Sequence, residues 1–200
     1  MILRVIRGRA SPEQLETLQA ALQEKLGAAV REQTGIVTYH LGARPGDGML
    51  EWAFVALWES PEAVKSGDAG GRTALSIATA LGLEGLETTH FEIDAPIRDP
   101  GSSDIVAIRI ACGDFSKPGA DIEMLNTLRA RVPLIGDEMA EAYVGRRLVG
   151  RAVEVTFVSV WRELPDHPSL EGPFWPDIVV QYDRLSIDVY ESVGSPSGIG

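Results

Sequence analysis

The sequence predicts an α+β protein of two tandem, ferredoxin-like β-α-β-β-α-β units packed sheet to sheet as a fused barrel. Three observations predict it. Glu-Trp-Ala-Phe-Val-Ala-Leu-Trp at residues 51–58 returns as Glu-Val-Thr-Phe-Val-Ser-Val-Trp at residues 154–161, in a chain with only four tryptophans and five phenylalanines. The same order of elements surrounds both copies. Between them, Ala95-Pro96-Ile97-Arg98-Asp99-Pro100-Gly101-Ser102-Ser103 has the composition of a linker.

In the first half, residues 2–9 read as a strand. Ser11-Pro12-Glu13-Gln14 then starts a helix: serine caps, proline takes the first helical position, and glutamine three residues on can reach back to the cap. Leu15, Leu18, Leu22, Leu26 and Val30 recur at three- and four-residue spacing, which puts them on one face of a helix ending near Gly35. Strands at 36–44 and 49–59 flank the turn Pro45-Gly46-Asp47-Gly48. A second helical region opens at Ser60-Pro61-Glu62, breaks at 67–71 and resumes over 73–83, and a strand follows at 88–94.

The second half repeats the plan. A strand at 108–113 precedes a helix whose face is Ile122, Leu125, Leu128 and Val132, stopped by Pro133. A hairpin spans 140–147 and 152–162, and the last strand runs over 184–190. Pro165, Pro168, Pro173 and Pro176 leave room only for a short helix around 177–181, since proline removes a donor and clashes with the preceding turn. The expected organisation is one unit at 1–95, a linker at 96–103, a second unit at 104–191 and a disordered tail at 192–200.

A net charge of −11 opposes binding to nucleic acid or to an anionic membrane surface, and no apolar run reaches the roughly 18 residues of a membrane span. The opening Met-Ile-Leu-Arg-Val-Ile-Arg lacks the length and cleavage site of a signal peptide, so a cytoplasmic location is expected. Cys112, the only cysteine, excludes an intrachain disulfide and reads as a buried strand thiol. His40, His90 and His167 show no metal-ligand spacing, and no metal site is expected. Gly67-Asp68-Ala69-Gly70-Gly71-Arg72-Thr73 fails as a phosphate loop, with Ser66 in the first glycine's place and Arg72 in the lysine's, and reads as a break in the helical layer, suited to a lid.

Strand side chains alternate between faces, so Trp52, Phe54, Ala56 and Trp58 share one face, as do Val155, Phe157, Ser159 and Trp161. The rings either wall a cavity between the sheets or fill the space themselves. On the partner strand His40, Gly42 and Arg44 align with Tyr143, Gly145 and Arg147. These are candidates for binding an acidic or phenolic ligand; the alternatives are exposed hairpin arginines and satisfied interface residues at His40 and Tyr143.

Phe54-Val55-Ala56-Leu57-Trp58-Glu59-Ser60-Pro61-Glu62-Ala63, in this strand order, resembles the antibiotic-biosynthesis monooxygenase family of the dimeric α/β-barrel superfamily. Residues 157–161 are a fainter copy. Such proteins usually pair two single-unit chains, so the resemblance implies a pseudo-dimer within one chain that can further form a homodimer. Some relatives oxidise polycyclic phenols with molecular oxygen and no metal or flavin, which implies that no cofactor is needed. Haem-degrading relatives use an asparagine on the first strand, the tryptophan, and a histidine about ten residues beyond it. Here Trp58 and Trp161 match the tryptophan, but Asp68 and Glu171 fall near the histidine positions, so haem degradation is not expected.

The leading expectation is a cofactor-independent monooxygenase-like enzyme acting on a small aromatic or quinone-type molecule. His40 or Tyr143 would take the phenolic proton, with at most one half catalytic; Trp52, Phe54, Trp58, Phe157, Trp161, Arg44 and Arg147 would bind the substrate. A non-catalytic binder or sensor using the same residues, and a structural protein with a filled core, are the competing readings.

Overall fold

The computed structural model describes residues 1–31, 35–98, 104–117, 119–163 and 182–194. Its eight strands are hydrogen-bonded in the closed order β1-β3-β2-β8-β5-β7-β6-β4, the α+β, fused-barrel class that the sequence predicts. The chain divides into two compact units, residues 1–90 with the end of β8 from Tyr190, and residues 91–189.

The first unit contains β1 (Ile2–Ala10), α1 (Pro12–Arg31), β2 (Ile36–Pro45), β3 (Leu50–Trp58), α2 (Pro61–Ala69), α3 (Ala74–Ala80) and most of β4 (Glu84–Glu92). The cap of α1 is reciprocal: the Gln14 N–H donates to Ser11 Oγ at 3.2 Å, and the Ser11 N–H donates to Gln14 Oε1 at 2.9 Å. Leu15, Leu18, Leu22 and Leu26 are buried in one cluster with residues of β1, β2 and β3, as expected, while Val30 falls outside the described side chains. Ser60 caps α2 by accepting from the Ala63 N–H at 3.1 Å.

The expected break at 67–71 begins later, at Gly70, because α2 continues through Gly67 to Ala69. Its reason is steric. A Cβ on Gly67 would lie 3.0 Å from Trp58 Cη2, so the bare glycine lets the helix rest on the indole. Strand β4 starts at Glu84, before the expected 88, in a polar stretch whose alternation is weak and whose residues are mostly exposed.

The second unit contains β5 (Ala107–Phe115), α4 (Ala120–Arg131), a 3-10 turn (Val132–Leu134), β6 (Met139–Val149), β7 (Ala152–Trp161) and most of β8 (Arg184–Gly194). Leu125, Leu128 and Val132 are buried as expected, but Ile122 is 52% exposed. Met124 takes its place, because Ala120, Met124, Leu128 and Val132 keep the four-residue step that stays on one helix face. Part of the expected linker is anchored. The Ile97 N–H donates to the Ala142 carbonyl at 2.9 Å, and the Arg98 guanidinium donates to the carbonyls of Ile135, Gly136 and Met139.

Strand β8 runs past the expected 190 to Gly194, pairing Glu191 with Ala43 and Ser192 with Gly42. The first residues assigned to a tail are therefore strand, and residues 195–200 lie outside the described residues, as do the helix expected around 177–181, His167 and Glu171. Among the described residues no helix is long and apolar enough to cross a membrane.

Candidate active site

Register decides which side chains can meet. On β1 and β3 the pairs Ile2↔Trp58, Arg4↔Ala56, Ile6↔Phe54 and Gly8↔Trp52 share one face. That face packs beneath the helices, with Trp52, Phe54 and Trp58 in one cluster with the α1 leucines, Val64 of α2 and Ile77 of α3. His40 pairs with Val55, and Val55 with Val5, on the opposite face of β3.

The second unit sorts the same way. Phe157 and Trp161 lie with Met124, Leu125 and Leu128 of α4, whereas Tyr143 pairs with Val158 on the other face of β7. The residues expected to take a proton, on β2 and β6, and the rings expected to wall a substrate, on β3 and β7, thus lie on opposite faces of these paired strands. A ligand stacked on Trp58 has β3 between it and His40. Sequence alternation shows which residues share a face of one strand; the helix contacts show which face lies under the helical layer.

Arg44 and Arg147 are engaged within their hairpins. Arg44 Nη2 is 2.7 Å from Glu51 Oε2, and its guanidinium lies 5.0 Å from the Tyr190 ring centroid. Arg147 donates to both Glu154 oxygens, at 3.1 and 2.8 Å, and lies 5.4 Å from the Phe91 ring centroid. Each is the direct cross-strand partner of the glutamate that opens its copy of the repeat. That glutamate recurs because an arginine faces it.

Two polar constellations were missed by sequence reasoning. The first lies under the helices of the first unit. Arg4, 1% exposed, donates from Nη1 to Asp68 Oδ1 at 2.8 Å, and the Thr73 hydroxyl donates to the same oxygen at 2.6 Å. Thr73 also caps α3, its oxygen accepting from the Ser76 N–H at 3.4 Å. Burial pushes the Asp68 carboxyl up, but the hydrogen bonds from Arg4 and Thr73 and the charges of Arg4 and His90 prevail and hold it below the ordinary 3.8.

Arg4 and Trp58 are diagonal cross-strand neighbours, and they meet consecutive residues of α2, Asp68 and Gly67. Arg4 Nε and Trp58 Nε1 are buried donors with no hydrogen-bond partner among the described residues. The signal in the sequence was a charge repeated inside an apolar strand, Leu3-Arg4-Val5 and Ile108-Arg109-Ile110. Arg109 is likewise buried, 5.2 Å from the Trp161 ring centroid, and burial lowers its pKa to about 10.

The second constellation is Glu141 and Tyr143, both fully buried, with the Tyr143 hydroxyl donating to Glu141 Oε2. Cys112, expected to be buried, is partly exposed and donates to Glu154 Oε1 at 3.1 Å. Among the described residues no three His, Cys, Asp or Glu side chains group as metal ligands.

Residues 1–66, which hold β1, α1, β2, β3 and the start of α2, match the family described as antibiotic biosynthesis monooxygenase. Solved structures share the fold over both units. A protein assigned as a monooxygenase from Fusobacterium nucleatum aligns with 100% of this chain and 94% of its own, at 11% identity and a TM-score of 0.72. Another so assigned from Lactobacillus acidophilus covers 99% and 98%, at 11% identity and 0.66. An anthrone oxidase-like protein covers 98% and 93%, at 15% identity and 0.57. No curated protein matches the sequence. In the first unit Trp58 closes the third strand, Arg4 is its diagonal neighbour on the first, and the helix above meets them with consecutive residues, Gly67 on the indole and Asp68 on the guanidinium.

Proposed function

We propose that the chain is an oxygen-consuming, monooxygenase-like enzyme acting on a small aromatic carbon acid or phenol bound beside Trp58. One observation carries this reading: two buried donors on neighbouring strands, Arg4 Nε and Trp58 Nε1, have no acceptor among the described residues, and Arg4 also holds a carboxylate, Asp68. Donors fixed in a dry setting favour a substrate oxygen on which negative charge develops. Asp68 is the base available beside them. Arg4 donates to Asp68 from Nη1, so its unpartnered Nε can take a substrate oxygen while the carboxylate stays ionised and able to accept a proton.

The anthrone oxidase-like protein of the same fold makes an anthrone the first substrate to test. In the overall reaction the anthrone methylene carbon loses two hydrogens and gains one atom of O2, and the other atom leaves as water. The substrate supplies all the electrons, so no further reductant enters. Trp58 provides an apolar wall for the rings.

The test is oxygen uptake with anthrone by the intact chain and by Arg4→Met and Trp58→Phe. Loss of a donor to a developing oxyanion should lower kcat by about 100-fold or more. Rates within threefold of the parent in both folded variants would overturn the assignment. A second reading, in which the rings are only core, is favoured by the close seating of Trp52 on Gly8 and of Trp58 on Gly67. It predicts no oxygen uptake and no thermal stabilisation by an anthraquinone. Stabilisation without uptake marks a binding protein.

A further inference from the structure

The two copies of the repeated strand differ by one oxygen atom at a telling place. In the second unit Trp161 Nε1 donates to Ser159 Oγ at 2.9 Å, so the indole is satisfied by the residue two positions before it. In the first unit that position is Ala56, which offers no acceptor, and the indole N–H of Trp58, itself only 2% exposed, has no hydrogen-bond partner among the described residues. A buried indole N–H normally finds a partner. We propose that Ser159 closes the second copy by holding the Trp161 N–H, and that Ala56 leaves Trp58 as the one indole of the repeated pair that receives a ligand oxygen.

The ligand class is an aromatic ketone or phenol, whose oxygen accepts the N–H while its rings lie on apolar surface. The assignment rests on the site described under Proposed function and makes it one-sided. Arg109, stacked on the Trp161 ring, adds to the difference, because a guanidinium over the indole face occupies surface that a ligand ring would need. Ala56 and Ser159 are specificity-determining positions, since neither supplies a reacting group.

The test uses the full chain labelled with 15N-tryptophan, its indole resonances assigned by single Trp→Phe variants. In ligand-free protein, Ala56→Ser should shift only the Trp58 indole proton downfield, and Ser159→Ala only that of Trp161 upfield. Titration with 1,8-dihydroxyanthraquinone should move the Trp58 resonance, leave that of Trp161 in place and saturate at one equivalent per chain. Ala56→Ser should weaken this binding about tenfold, the loss of one modest hydrogen bond. Equal movement of both resonances, or parental affinity in Ala56→Ser, overturns the inference. If the parent chain takes up no dye, the reading under Proposed function fails. The closed-copy assignment is then decided by the ligand-free shifts: it stands if each substitution moves its own indole and falls if either leaves it unchanged.

Discussion

Asp68→Asn isolates the contact on which the candidate site is built. The substitution keeps the side chain's size but removes the charge that faces the guanidinium of Arg4, leaving a cation that is 1% exposed without its counter-ion. Breaking a fully buried pair costs about 3–5 kcal/mol. The Asp68 side chain is 39% exposed, so solvent screens the contact and the expected loss falls to about 2 kcal/mol. For a chain of 200 residues that lowers Tm by about 4–8 °C.

Urea unfolding at pH 7 is the assay, with the midpoint shifted and the slope unchanged. The sign of the pH dependence follows from the direction of the shift. The Asp68 carboxyl is held below 3.8 in the folded chain, so its contribution is fully present above that value and is lost as pH falls through the lowered one. The gap between parent and variant should therefore be constant from pH 7 to pH 5 and narrow below about pH 4. Arg4→Met combined with Asp68→Asn should recover much of the loss, because no buried charge is then stranded. A single variant within about 0.5 kcal/mol of the parent, the range of an ordinary surface substitution, refutes the reasoning.

Other substitutions test the surroundings. Ser60→Ala removes the cap of the helix that carries Gly67 and Asp68 and should cost about 1 kcal/mol in urea unfolding. Gly8→Ala places a Cβ 2.7 Å from Trp52 Cζ2, and the buried ring must move, for a loss of about 1–3 kcal/mol by the same measurement. Tyr143→Phe strips the Glu141 carboxylate of a buried donor and should cost about 1.5–3 kcal/mol, read from the denaturant midpoint. Arg147→Ala breaks a hairpin ion pair with a partly exposed arginine; its effect should stay below about 1 kcal/mol and shrink in high salt.

Much of the fold was legible because its signals are local. The Ser11-Pro12 helix start, the α1 leucines and the two hairpins depend on neighbours within a few residues, and the structure places them as the sequence predicts. The shifts at Gly70, Ile122, Glu84 and Gly194 come from partners distant in the chain. Gly67 reads as a helix breaker until the Trp58 ring is beneath it, and Ser192 reads as tail until Gly42 pairs with it. Glycine and polar side chains carry little pattern of their own, so tertiary contacts set those boundaries.

The candidate site was less legible for a related reason. Alternation assigns residues to faces but does not say which face the helices cover, so His40 and Trp58 looked compatible until β3 was seen to separate them. Asp68 carried no motif, because its meaning comes from Arg4, 64 residues earlier. The repeat held more information in its differences than in its shared letters. Phe and Trp recur because both copies need the same helix–sheet core, and that need says nothing about chemistry. The exchange of Ala56 for Ser159 is unnecessary for packing, since both are small and fully buried, yet it alone decides whether an indole N–H is satisfied from within. In a duplicated chain, a position where the copies diverge without a packing reason is therefore a better pointer to function than the residues they share.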